Sequence, residues 1–429
     1  MTAEEIKNNR KKIVLFGAID NVFTRYFCSG EFNVLKIVDN DQRLHGKRIN
    51  GIKIYSVDSL INDNADELTI IIMSKRYAEE MIKQIKSFGI NDYCVAEDDI
   101  DELKDYSIIL KSSGSDINNL MPTALNIELS GICNLKCVYC PFHGELNKKH
   151  NKGLMSWDTL QSVVKQLKPI DCISTLSTVG NGEVFVHPEW YEMTKYILSE
   201  LNVKTLCLYT NGMLLSEEVV RKLNSFDNVN ILLEISIDGT TPEECEKYRK
   251  GCKYSVIRDN LYYALDNLND NINVTILNLY MPKEDDLVKT NYKVQFKNPE
   301  PQYIKNDFPN INIISRKAVI DGDELGEIKG FKKILVKKEA PYSTCFNTFF
   351  RLAIDNEGNL IRCSCSKAFN QIIGNVRESN ILEKWKNDEQ MKLARQHILD
   401  KVYDKDFCSG CEQKSKEPYF VLVEDKLNV

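Results

Sequence analysis

The stretch Leu125-Asn-Ile-Glu-Leu-Ser-Gly-Ile-Cys-Asn-Leu-Lys-Cys-Val-Tyr-Cys140 decides how this chain is read. Residues 125–129 form a short, mostly apolar run of strand character, and a loop bearing Cys133, Cys137 and Cys140 follows at once. Three thiolates so close together can bind three irons of a cubic iron–sulfur cluster, for which thiolate is the natural ligand. A fourth local cysteine is missing, which leaves one iron open for a substrate or cofactor. The competing reading is a zinc knuckle, although zinc sites favour paired C-x2-C hooks and four ligands.

Outward from this stretch the chain alternates strand-like and helix-like segments, with a motif at the C-terminal end of each of four strands. Residues 125–129 run into the cysteine loop, and 173–179 into Gly180-Asn-Gly-Glu183. Residues 205–209 run into Thr210-Asn-Gly212; 231–237 carry Ser236 and end in Asp238-Gly239. Helix-like stretches lie between, such as the one that Ser156 is placed to cap. In an α/β barrel, catalytic groups sit at the C-terminal strand ends. A fifth strand is clear at 274–279, and after the polar, proline-bearing stretch 283–310 only 311–314 reads as another.

The C-x3-C-x2-C spacing, with Tyr139 before its last cysteine, and the four strand-end motifs resemble the radical S-adenosylmethionine (SAM) superfamily. The resemblance implies a partial (β/α)6 barrel that chelates SAM at the open iron and cleaves it reductively to a 5′-deoxyadenosyl radical. It places Tyr139 beside the cofactor and lets Gly180, Gly182 and Glu183 meet the SAM amino group. Asn181 and Val184 stand where the family usually has glycine and proline. Ser236 and Asp238 fall near the SAM ribose. Arg249, in Tyr-Arg-Lys-Gly, falls at the SAM carboxylate, a task that suits a guanidinium fork. Thr210 and Asn211 line the same cavity. The plainer readings are a solvated charge for Arg249 and a simple turn for Thr210-Asn211. His143 and Phe142 are either cofactor contacts or loop anchors. No catalytic base is assigned; substrate contacts are expected from 280–340 and from Arg351 or His143.

Toward the C-terminus, Cys345 and Cys363 flank a strand–turn–strand around Asp355-Asn-Glu-Gly358, and Cys408-Ser-Gly-Cys411 follows. This C-x12-G-x4-C…C-x2-C pattern resembles the start of a SPASM domain. No cysteine follows Cys411, so the resemblance is to the shortened Twitch form. It implies one auxiliary [4Fe–4S] cluster on Cys345, Cys363, Cys408 and Cys411, with Cys365 as a spare. A structural four-cysteine zinc site would use the same ligands. Two [4Fe–4S] clusters are therefore expected, one binding SAM and one auxiliary. The auxiliary cluster suits taking one electron from a substrate radical, which makes the net reaction a two-electron oxidation.

Residues 11–95 form a separate strand–helix alternation, which implies a parallel sheet of Rossmann-like type. Its glycine segment, Gly17-Ala-Ile-Asp-Asn-Val, is not G-x-G-x-x-G, so tight dinucleotide binding is unsupported. The layout resembles small nucleotide- or sugar-nucleotide-binding domains of bacterial polysaccharide enzymes; a docking scaffold without a ligand is the alternative. The expected division is 1–100 for this domain, 101–121 for a linker, 122–335 for the partial barrel and 336–429 for the Twitch-like segment.

Composition bounds function further. The chain has 429 residues with 62 acidic against 56 basic side chains, a net charge of −6 that argues against general nucleic-acid binding. The polar start of the chain and the lack of a long apolar run lead us to expect a cytoplasmic protein without a membrane span. Fourteen cysteines then point to metal or clusters rather than disulfides. Cys28, Cys94, Cys172, Cys207, Cys245, Cys252 and Cys365 are expected as buried thiols. The function expected is an oxidoreductase of a sugar, aminosugar or cyclitol, free or nucleotide-linked, served by a flavodoxin- or ferredoxin-type donor. The alternatives are a ribosomal-peptide maturase and a non-enzymatic metal-binding scaffold.

Overall fold

The computed structural model describes residues 2–9, 11–18, 22–28, 30–49, 51–75, 77–100, 120–140, 142–144, 153–178, 180–282, 287–290, 293–296, 301–317, 319–320, 331–336, 347–363, 372–399 and 419–424. Two units emerge: Met1–Thr123 with Arg395–Val402, and Ala124–Ala394 with Tyr403–Val429. Most of the expected linker, residues 101–119, lies outside the described residues.

The first unit is built on β1 (Lys12–Phe16), β2 (Val34–Asp39), β3 (Arg48–Ile49), β4 (Ile52–Ser56), β5 (Leu68–Ile72) and β6 (Tyr93–Val95), in the order β3-β4-β2-β1-β5-β6. All pairings are parallel except the β3–β4 hairpin, whose turn contains Gly51 at φ 81°. The Leu-Thr-Ile-Ile-Ile of β5 is buried at every position, as expected for a central parallel strand covered on both faces. Gly17 ends β1 at φ 115°, where a side chain would be strained. Asp39, at the end of β2, spends its carboxylate on the Ala18 and Asp41 N–H groups at 2.6 and 2.8 Å. It therefore staples the loops where such sheets hold a nucleotide ribose.

The second unit carries β7 (Ala124–Ile127), β8 (Lys136–Cys137), β9 (Ile173–Ser177), β10 (Val203–Thr210), β11 (Asn230–Ser236), β12 (Arg249–Lys250), β13 (Ile272–Tyr280), β14 (Leu287–Thr290), β15 (Lys293–Phe296), β16 (Asn312–Lys317), β17 (Val319–Ile320), β18 (Phe331–Val336), β19 (Arg351–Ile354), β20 (Asn359–Ile361), β21 (Ile372–Asn375) and β22 (Tyr419–Glu424). Its main sheet runs β16-β13-β11-β10-β9-β7-β19-β20-β21. The six barrel-type strands from β7 to β16 are all parallel to their neighbours. Helices return the chain between them: Trp157–Leu167, Trp190–Glu200, Glu217–Asn224 and Tyr254–Asn267. Ser156 caps the first, its Oγ accepting the Thr159 N–H at 3.2 Å.

Two features differ from the sequence reading. The C-terminal hairpin does not stand apart: β19 pairs parallel with β7, Leu352 opposite Leu125, and extends the barrel sheet. The stretch read as loose and polar holds an antiparallel β14–β15 pair and the helix Gln302–Asp307. Both are short local elements whose polar sequence lacks a clear apolar period. A separate antiparallel sheet joins β17, β22 and β18. Among the described residues no helix is long and apolar enough to cross a membrane.

Candidate functional site

Beyond β7 the chain enters the cysteine loop, and Cys137 falls in β8. This strand pairs antiparallel with β12 so that Arg249 stands opposite Cys137. The Val138 N–H donates to the Tyr248 carbonyl at 2.9 Å, which extends the ladder. The loop then curls back, with N–H to O=C bonds from Cys140 to Cys137 at 3.0 Å and from Gly144 to Cys140 at 3.1 Å. A Cβ on residue 144 would stand 2.6 Å from the Cys140 carbonyl oxygen, so the curl needs glycine.

The sulfurs receive backbone donors, Leu135 N–H on Cys133 Sγ at 3.4 Å and His143 N–H on Cys140 Sγ at 3.3 Å. Burial pushes the Cys133 thiol up to about 11 and the Cys137 thiol up to about 12, while nearby Arg249 pulls both down. These thiols keep their protons until a metal displaces them. None of the three is in a disulfide. Among the described residues no three His, Cys, Asp or Glu side chains converge on a single metal ion. A cubane seats each thiolate on a different iron and does not require that convergence. Three free thiols on one loop, with sulfur-directed N–H donors and a neighbouring guanidinium, fit such a cluster.

Arg249 is 8% exposed and Asp238 is fully buried. Arg249 Nη1 donates to Asp238 Oδ2 at 2.9 Å and to Tyr139 Oη at 3.1 Å, and the Tyr139 hydroxyl also bonds Asp238. Burial opposes the Arg249 charge, but Tyr139 and Asp238 outweigh it and hold the guanidinium protonated. Burial also drives the Tyr139 phenol well above its ordinary range. Arg249 Nε is buried and has no hydrogen-bond partner among the described residues. Asp238 is fixed from behind: its Oδ1 accepts the Leu279 N–H at 3.1 Å and its carbonyl accepts the Tyr303 hydroxyl at 2.9 Å. Val138, Tyr139 and Phe331 pack on the buried Tyr248 and Met281 beside this pair.

The second cluster of predicted residues gathers on Glu183, which is 3% exposed. Its Oε1 accepts the Thr210 hydroxyl at 2.9 Å and its Oε2 accepts the Asn211 N–H at 2.8 Å. Burial raises its carboxyl, and these donors together with Arg249 work against that rise. The Asn211 amide in turn donates to Asn134 Oδ1 at 2.7 Å, which joins the end of β10 to the cysteine loop. Gly182 lies directly on the approach to that loop. A Cβ there would stand 2.2 Å from the Ser130 carbonyl oxygen and 2.6 Å from that of Ile132. At Gly180 a Cβ would stand 2.5 Å from a Glu128 carboxylate oxygen.

The predicted residues therefore assemble as two linked groups on one wall, the cysteine loop. Tyr139, Asp238 and Arg249 meet opposite Cys137, and Glu183, Thr210 and Asn211 reach the loop through Asn134. Ser236 ends β11, half-buried, in register with Leu277. His143 is buried and Phe142 half-buried beside Cys140. Cys363 is buried two residues past β20. Cys345, Cys408, Cys411 and Cys365 lie outside the described residues. Cys28, Cys94, Cys172, Cys207, Cys245 and Cys252 are buried, and none is in a disulfide. Sequence reasoning passed over Glu128, Asn134 and Tyr303. Glu128 had a signal, being a lone acid in an apolar run; Asn134 and Tyr303 had none.

Comparison with known proteins agrees with this geometry. Residues 127–290 match the radical SAM superfamily, 345–412 a SPASM iron–sulfur cluster-binding domain, and 9–96 a domain described as C2185-like, N-terminal. The mycofactocin maturase MftC of Mycobacterium ulcerans (strain Agy99) is 29% identical over 148 residues, 34% of this chain and 36% of that protein. The GTP 3′,8-cyclase of Clostridium perfringens (strain SM101 / Type A) is 28% identical over 214 residues, 49% of this chain and 63% of that protein. The chain thus spans less than two thirds of the length of these relatives. Among solved structures, BtrN in complex with AdoMet and 2-DOIA aligns with a TM-score of 0.42 at 18% identity, covering 69% of this chain and 91% of that one. The matched domains are those that take SAM with a [4Fe–4S] cluster and, in the SPASM segment, auxiliary iron–sulfur. The cysteine loop and its two neighbouring residue groups thus fall within a radical SAM domain, which a SPASM iron–sulfur domain follows in the chain.

Proposed function

We propose that this protein is a radical SAM oxidoreductase of a sugar, aminosugar or cyclitol, with one auxiliary [4Fe–4S] cluster. When bound, the reduced cluster and SAM supply a 5′-deoxyadenosyl radical for hydrogen-atom abstraction. Cys133, Cys137 and Cys140 would hold the SAM-binding cluster; Cys345, Cys363, Cys408 and Cys411 would hold the auxiliary one. Arg249, braced by Asp238 and Tyr139, offers its unpartnered Nε to the SAM carboxylate. Glu183 holds Thr210 and Asn211 in place, and with Gly180 and Gly182 shapes the loop that meets the SAM amino group. Ser236 and Asp238 lie toward the ribose. A flavodoxin- or ferredoxin-type protein is the electron donor.

The observation that carries the small-molecule reading is the first unit. Its parallel sheet, β3-β4-β2-β1-β5-β6, is of the layout that accompanies nucleotide and sugar-nucleotide chemistry, and it is unlike the winged-helix domains that present peptides. Anaerobically reconstituted protein given SAM, reductant and a panel of free and nucleotide-linked sugars should form 5′-deoxyadenosine in step with loss of one substrate. Turnover of none of the panel argues against this class. A second reading, a ribosomal-peptide maturase, draws on the likeness to MftC. A mass change in a precursor peptide encoded beside this gene would favour it.

A further inference from the structure

Glu128 is a buried carboxyl group to which the proposed chemistry gives no role. It follows β7 and is 1% exposed. Its Oε1 accepts the Asn181 N–H at 2.5 Å, its Oε2 accepts the Asn356 N–H at 3.4 Å, and its own N–H donates to the Ile354 carbonyl at 2.9 Å. Three segments meet on this one side chain: the approach to the cysteine loop, the loop 180–183, and the turn after β19 inside the SPASM match. Loop 180–183 has a second anchor, the Glu183 N–H on the Ile132 carbonyl at 2.8 Å. It is thus pinned at two points to residues 128–132, with only hydrogen on Gly180 and Gly182 where it touches them.

We propose that Glu128 is a positioning residue whose carboxylate sets the seat of loop 180–183 against the cysteine loop and ties it to the C-terminal turn, so that its ionisation controls SAM affinity. The inference rests on the radical SAM reading of that loop. A carboxylate can take both N–H donors on separate oxygens; a carboxylic acid gives one oxygen to its own proton and accepts more weakly there. Burial raises this group to about 7, the Asn181 and Asn356 N–H donors oppose the rise, and the charged neighbour bearing on it, Asp355 of the same turn, adds to it. The Asp355 carboxylate itself is turned to the Glu357 and Asn359 N–H groups at 3.0 and 2.9 Å. The change of state therefore falls in the range where enzymes are assayed.

The test is SAM affinity of the anaerobically reconstituted full chain between pH 6 and 8.5, for native protein, Glu128→Gln and Glu128→Asp. Iron content and circular dichroism check that each variant is folded and loaded. Native affinity should strengthen about tenfold over this range, because SAM binding favours the ionised form. Glu128→Gln should bind about tenfold more weakly at pH 8 and show no slope. Glu128→Asp, shorter but ionisable, should keep a slope with weaker affinity. A native slope that persists in Glu128→Gln, or a native protein without slope, overturns the proposal. A loaded native protein that binds no SAM at any pH instead overturns the radical SAM reading beneath it.

Discussion

Replacing Asp238 by Asn removes one charge and almost no volume from the centre of the site. Arg249 Nη1 and Asp238 Oδ2 are 2.9 Å apart, and their side chains are 10% and 0% exposed. At an effective dielectric of about 20, such a pair attracts by roughly 6 kcal/mol before desolvation is counted. The net worth of the pair is smaller, but removing one partner strands the other, and that costs about 3–5 kcal/mol. The Tyr139 hydroxyl stays on Arg249 and softens the loss, so we expect about 3 kcal/mol. For a domain of this size that is a fall in Tm of roughly 6–12 °C. SAM affinity should fall about tenfold as well, because the guanidinium loses its brace. Thermal unfolding of the reconstituted protein measures the first effect, and SAM titration the second. The decisive comparison adds Arg249→Met to Asp238→Asn. If the cost is a stranded charge, the double variant is more stable than Asp238→Asn alone. A single-variant shift below about 2 °C, or additive losses in the double variant, would refute the argument.

Further outcomes follow from the same geometry. Joint Cys→Ala replacement at 133, 137 and 140 should abolish SAM cleavage while about four irons per chain remain on the auxiliary site, as read by iron analysis and 5′-deoxyadenosine assay. Gly182→Ala must push its Cβ away from the Ser130 and Ile132 carbonyls, so it should cost about 1–3 kcal/mol in a thermal melt and weaken SAM binding more than tenfold. Glu128 rises in the fold from an ordinary 4.5 to about 7. A group raised in this way gives stability that is full below 4.5 and is lost as pH climbs to about 7. Melts of SAM-free protein should thus show a loss of up to roughly 3 kcal/mol across that window, absent in Glu128→Gln. An equal loss in both proteins would assign it elsewhere.

The cysteine loop, the strands that precede the motifs and the turns that end them are legible in the residues alone. All of these are local. A few residues of alternating or continuous apolar character fix a strand, Ser156 fixes a helix start, and Gly358 at φ 84° fixes a hairpin turn. Which residues face one another emerges only once the chain is folded. Tyr139 and Asp238 meet across 99 residues, Glu128 and Asn356 across 228, and Arg249 reaches Cys137 through a two-residue antiparallel ladder that no periodicity announces. The turn at Gly358 gives the β19–β20 hairpin locally, but only the fold shows that β19 takes the open edge of β7, where its backbone N–H and C=O groups find partners. Burial does the rest. Asp238, Arg249, Glu183 and Glu128 are common surface residue types, and it is their removal from water that obliges each to find a partner and gives the site its electrostatic character.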